Sequence, residues 1–79
     1  MVLSVEALRG DKGSELSEIA ITFDAEGLDV LLTSLNRLKQ KKGHDHLMTP
    51  SWAGNELTET RHGGANSLLI NHLRLVRIE

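Results

Sequence analysis

Leu28, Leu31, Leu32, Leu35 and Leu38 recur at spacings of three and four, which lays one apolar stripe along an α-helix. The helix is expected to begin at Asp24, whose carboxylate can accept from the free N–H groups of the first turn, and to run to about Gln40. Two signals mark its end. Arg37, Lys39, Lys41 and Lys42 suit the negative pole of the helix, and Gly43 can take a left-handed conformation. Gly27 in the first turn costs about 1 kcal/mol against alanine, so some fraying is expected there.

Before this helix the pattern has a period of two. Ile19, Ile21 and Phe23 share one face of a strand, with Ala20 and Thr22 on the other. Val2 to Arg9 alternates more weakly, with Leu3, Val5 and Ala7 together, and the cluster Gly10-Asp11-Lys12-Gly13-Ser14 reads as the turn of a hairpin. After the helix, His46 to Thr49 reads as a short strand stopped by Pro50, Ser51 to Asn55 as a loop, and Leu57 to Arg61 as a further strand before a turn at His62-Gly63-Gly64. Leu68 to Ile78 closes the chain with mixed parity: Ile70, Val76 and Ile78 lie on one side, Leu73 and Leu75 on the other. Either a bulge resets the alternation, or both faces of that strand are covered. The expected fold is α+β, ordered strand-strand-helix-strand-strand-strand, with one amphipathic helix packed on a mostly antiparallel sheet. Its leucine stripe should lie on a sheet that includes Ile19, Ile21 and Phe23.

Seventy-nine residues allow a single domain, 1–79, with one small core. At this size apolar burial and ordering entropy nearly cancel, so tight packing or a partner must supply the margin. The chain has no cysteine, which removes disulfides and thiolate ligands and suits a reducing cytoplasm. The start, MVLSVEALRG, has no basic segment before an apolar run, and no eighteen apolar residues are consecutive, so neither a signal peptide nor a membrane span is expected. The net charge of −2 speaks against a nucleic-acid binder.

Candidate chemistry is sparse. His44 and His46 would point to one face of a strand, and His62 or His72 could close a metal site with them, but the spacing is far weaker than a paired zinc motif. No metal and no cofactor are expected. Asp45, between the two histidines, would face the other way. Ser51, His46 and Asp45 supply the residue types of a hydrolase without any nucleophile elbow around Ser51, and Gly63-Gly64 lacks the lysine and helix of a phosphate loop. A binding protein rather than an enzyme is therefore expected. The segment 44–59, HDHLMTPSWAGNELTE, is the most informative. It holds the sole tryptophan and proline, and Asp45, Glu56 and Glu59 with no lysine or arginine. Trp52 reads either as a core residue shielding an open end of the sheet or as an exposed anchor for a partner.

Three pieces of the sequence, ITFDAEGLDVLLTSLNRLK at 21–39, HDHLMTPSWAGNELTE at 44–59 and LLINHLRLVRI at 68–78, resemble the immunity protein 32 family of bacterial polymorphic toxin systems. Positions 1–18 add nothing to the likeness. The resemblance implies a small cytoplasmic protein that neutralises a cognate protein toxin by direct binding. It would act on neither nucleic acid nor membrane. Trp52, Asp45, His46, Glu56 and Glu59 are the expected partner-binding residues, the acids complementing a basic partner. A regulatory or adaptor domain is the alternative, and a homodimer through an exposed strand edge is compatible with either.

Overall fold

The computed structural model describes residues 1–10 and 15–79. The turn expected at residues 10–14 falls mostly outside them. Its flanks meet where Gly10 N–H donates to the Glu15 carbonyl at 3.0 Å. The described elements are β1 (Leu3–Arg9), β2 (Leu16–Phe23), α1 (Ala25–Gln40), β3 (Gly43–Met48), β4 (Ser67–Ile70) and β5 (His72–Arg77), with single 3-10 turns at Pro50–Trp52 and Gly64–Asn66. All pairings among them are antiparallel, in one sheet ordered β2-β1-β4 and a second made of β3 and β5. The fold is α+β, with the helix packed against these sheets.

The core is small, as the length requires. Leu3, Val5, Leu47 and Leu57 are buried together, with Val30, Leu31, Ile70, Leu73 and Leu75 packed around them. β1 is the central strand of its sheet and is covered on both faces, so even Ser4 and Glu6 are buried beside Leu3, Val5 and Ala7.

The helix begins as its sequence directs, with the Asp24 carboxylate accepting from Gly27 N–H at 2.8 Å. Its setting on the sheet corrects the leucine-stripe expectation. Gly27 is buried, and a Cβ there would stand 1.7 Å from the Val2 carbonyl oxygen. This glycine is the point where helix and β1 touch, not a weak spot in the first turn. With Gly27 and Ser34 both buried, the buried strip runs through Gly27, Val30, Leu31 and Ser34. Leu28, Leu32 and Leu35 are left on the flank, 37%, 44% and 44% exposed. Ile19, Ile21 and Phe23 are likewise open, at 61%, 38% and 46%. Gly43 does have positive φ, 134°, but it opens β3, while the helix is capped at Lys41 in extended geometry.

Three strand assignments differ from expectation. β3 spans Gly43–Met48 instead of beginning at His46. Leu57 to Arg61 is not a strand. Leu57 N–H donates to the Met48 carbonyl at 3.1 Å and Thr58 N–H to the Leu3 carbonyl at 2.7 Å, so the segment ties the end of β3 to the start of β1. The closing apolar segment is two strands, β4 and β5, interrupted at Asn71. The interruption resets the alternation: Ile70 before it and Leu73 and Leu75 after it all reach the core. The mixed parity thus comes from a break between two strands of different sheets rather than from a bulge or a strand covered on both faces.

Candidate interaction surface

β3 alternates between two environments. Leu47 is buried and Asp45 faces the helix, where its carboxylate accepts from the Ser34 hydroxyl and, at 2.8 Å, from Arg37. The Ser34 hydroxyl foremost, and then Arg37, holds the Asp45 carboxyl below the ordinary carboxylate range. His44, His46 and Met48 therefore turn to the opposite side, together with their cross-strand partners Val76, Arg74 and His72.

On this outer face the rings form a row. His44 meets His46 edge-to-face at a centroid distance of 4.8 Å, and His46 lies 4.8 Å from His72. The Nδ1 of His46 and the Nε2 of His72 are 2.7 Å apart, so one ring donates its proton to the other. Trp52 extends the row, 6.0 Å from His72, and is 54% exposed. Among the described residues no group of three or more His, Cys, Asp or Glu side chains is arranged to hold a metal ion. His62, the other histidine considered for such a site, lies elsewhere, its N–H donating to Glu6.

The Trp52 loop is fixed by polar contacts rather than by burial of the tryptophan. The buried Thr49 anchors it: its hydroxyl donates to Asn71 Oδ1 at 2.8 Å, and its carbonyl accepts from Trp52 and Gly54 N–H, both at 2.9 Å. Pro50 opens the 3-10 turn, where its missing N–H costs nothing, and Ala53 closes it in left-handed geometry with φ 64°. At Gly54 a Cβ would come within 2.4 Å of the Met48 carbonyl oxygen, so the backbone can pass there only as glycine. Two acids complete the frame. Glu56 accepts from Met48 N–H at 2.9 Å, and Glu59 from Ser51 N–H at 2.8 Å. Hydrogen bonds from the Ser51 hydroxyl and then its N–H lower the Glu59 pKa.

Of the five expected contact residues, the structure thus brings Trp52 and His46 to one surface and adds His72 between them. Glu56 and Glu59 sit in the loop beneath, committed to backbone N–H groups, and Asp45 lies on the reverse of β3. Sequence reasoning weighed His72 only as a metal ligand, because its place beside Trp52 depends on the β3–β5 register. A second feature lies at the far end of β5, a cleft of about 430 Å³ lined by Leu35, Leu38, Lys39, Leu75, Val76 and Arg77.

The surface thus joins an exposed, braced tryptophan to a row of imidazoles on an α+β fold. The sequence profile of immunity protein 32 matches residues 18–73, more than half of the chain, from within β2 into β5. The chain belongs to the immunity protein 32 family. No curated protein and no solved structure matches it. No helix among the described residues is long and apolar enough to cross a membrane.

Proposed function

We propose that this protein neutralises a cognate toxin of a bacterial polymorphic toxin system, in the cytoplasm, by binding it directly and without catalysis. Membership of the immunity protein 32 family is the observation that carries the reading. The contact is centred on Trp52, with His72 and His46 completing the surface. Three features support this placement: the indole is exposed, its backbone is held by hydrogen bonds on both sides, and the imidazoles beside it offer donors and acceptors without long flexible side chains. A rigid aromatic anchor loses little side-chain entropy on binding, which is why tryptophan dominates interface energetics. Glu56 and Glu59 serve the contact by shaping the loop, and Asp45 by holding β3 against the helix.

The test is titration of Trp52→Ala against the toxin encoded beside the gene, with thermal melting as a folding control. The exposed indole makes little contribution to stability, so the variant should melt within about 0.5 kcal/mol of the parent. Toxin affinity should fall by about 2 kcal/mol or more, mostly through faster dissociation. A folded Trp52→Ala protein that protects cells and binds as tightly as the parent would place the contact elsewhere.

A further inference from the structure

β2 is the outermost strand of its sheet, and the side facing away from β1 has no strand beside it among the described residues. The direction of its backbone groups follows from one bond. Asp24 N–H donates to the Val2 carbonyl at 3.1 Å, one step beyond the Leu3–Phe23 pair of the β1–β2 register. Because hydrogen-bonded and non-hydrogen-bonded pairs alternate in an antiparallel ladder, Thr22 and Ala20 also point their N–H and C=O groups toward β1. Ile19, Ile21 and Phe23 point theirs outward. From Ile19 to Phe23 this edge carries no charge, proline, glycine or bulge, the nearest guards being Glu18 and the bulge at Ser17 that precede it. Its outward-bonding residues are also the ones whose apolar side chains are left open on the sheet face.

We propose that the protein forms a two-fold dimer in which β2 pairs antiparallel with β2 of a second copy, centred on Ala20. The edge is complementary to itself in this register. Ile19 lies opposite Ile21 of the second copy, and by symmetry Ile21 opposite Ile19, each pair exchanging two backbone hydrogen bonds, while Ser17, where β2 bulges, comes opposite Phe23. Glu18 lies opposite Thr22. The adjacent registers that keep outward groups facing each other are worse. Centring on Ile21 sets Glu18 against Asp24, a like-charge pair, and centring on Ile19 sets Glu15 against Phe23. The result is a continuous sheet β4-β1-β2-β2-β1-β4 in which the Ile19, Ile21 and Phe23 side chains of both copies adjoin across the axis. The Trp52 surface lies on β3, β5 and their loop, so the pairing leaves it open.

The chain has no cysteine, so one introduced thiol reads the register directly. Across the axis the two Ala20 residues form a non-hydrogen-bonded pair with Cα atoms about 4.5 Å apart, within the reach of a disulfide. Under mild oxidation Ala20→Cys should become a covalent dimer. Thr22→Cys, whose copies would lie about 13 Å apart along the strands, should not. The unmodified protein should sediment as a dimer at sub-millimolar concentration, and Ile19→Pro as a monomer with its helical circular dichroism retained, since the lost N–H is one that faces outward. Should Ile19→Pro fail to fold, Ile19→Lys makes the same test through its side chain. A parent protein that sediments as a monomer overturns the proposal, as it would if the edge instead receives a strand of another protein. Cross-linking of Thr22→Cys as fast as Ala20→Cys overturns the register.

Discussion

The two loops on either side of Thr58 are held by the same device and differ in where it comes from. In the first, from Thr49 to Leu57, carboxylates of Glu56 and Glu59 accept from the N–H groups of Met48 and Ser51, eight residues away in each case. In the second, Glu6 of β1 accepts from His62 N–H at 2.8 Å and Gly63 N–H at 3.0 Å, across 56 and 57 residues of chain. Glu6 is only 1% exposed, whereas Glu59 is open to solvent. A short-range brace at the surface can be altered without disturbing the core. A long-range brace from the central strand is part of the core. The Glu59 brace can therefore be changed at less cost than Glu6, whose loop is bound to the stability of the core.

Glu6→Ala should have the largest effect. It removes the acceptor of two backbone N–H groups, each costing about 1–3 kcal/mol if left unmet, so the loss should reach about 2–6 kcal/mol. For a domain of this size each 1 kcal/mol moves the melting temperature by about 4–8 °C, a change that calorimetry resolves easily. Glu6→Gln keeps one acceptor oxygen and should recover part of the loss. A Glu6→Ala protein as stable as its parent would remove the distinction between the loops.

Acid should separate them next. The Glu6 carboxyl is held below its ordinary pKa, foremost by His62 N–H, which together with the Ser67 hydroxyl and Gly63 N–H outweighs the opposing effect of burial. Asp45 is lowered by Ser34 and Arg37. A depressed folded-state pKa gives stability that is complete above the unfolded value, about 4, and is lost as pH falls through the folded value. Denaturation midpoints should therefore hold down to about pH 5 and then decline steeply. Glu6→Gln should flatten that decline, and a decline of unchanged slope in this variant would assign the acid sensitivity to other groups.

The smallest effect on stability is expected for Glu59→Gln. This change should leave the melting curve close to that of the parent while loosening the Trp52 turn, visible as faster amide exchange at Ser51 and weaker toxin binding. Wild-type exchange at Ser51 together with weakened binding would make Glu59 a direct contact rather than a brace.

How far the sequence predicts these features depends on whether their causes are local. The helix start at Asp24, the alternation of β2 and the proline stop after β3 each depend on neighbours within a few residues, and all are visible in the pattern. The rotation of the helix is not, because Gly27 is explained only by Val2 lying against it. The same holds for Leu57 to Arg61, whose alternation suits a strand but which makes one backbone bond to β3 and one to β1 instead of a ladder with either. Glu6 carries no local signal, because a glutamate alternating with Val5 and Ala7 reads as the solvent side of a strand. The loop that covers it lies more than fifty residues further along. Of the candidate site, Trp52 and His46 were apparent as an unusual local cluster, and the reversal of Asp45 followed from strand parity alone. The pairing of His46 with His72 needed the register.

Asn71 bears on how this chain can change in length. It is the residue at which one strand ends its service to the β1 sheet and the next begins its service to β3. Side chains along a strand alternate with a period of two, so removing one residue at this joint would exchange the faces of everything beyond it. Leu73 and Leu75 would turn to solvent, His72 and Arg74 would turn inward, and the imidazole row would be dismantled with none of its rings deleted. The residue count between Ile70 and Leu73 is thus itself under constraint.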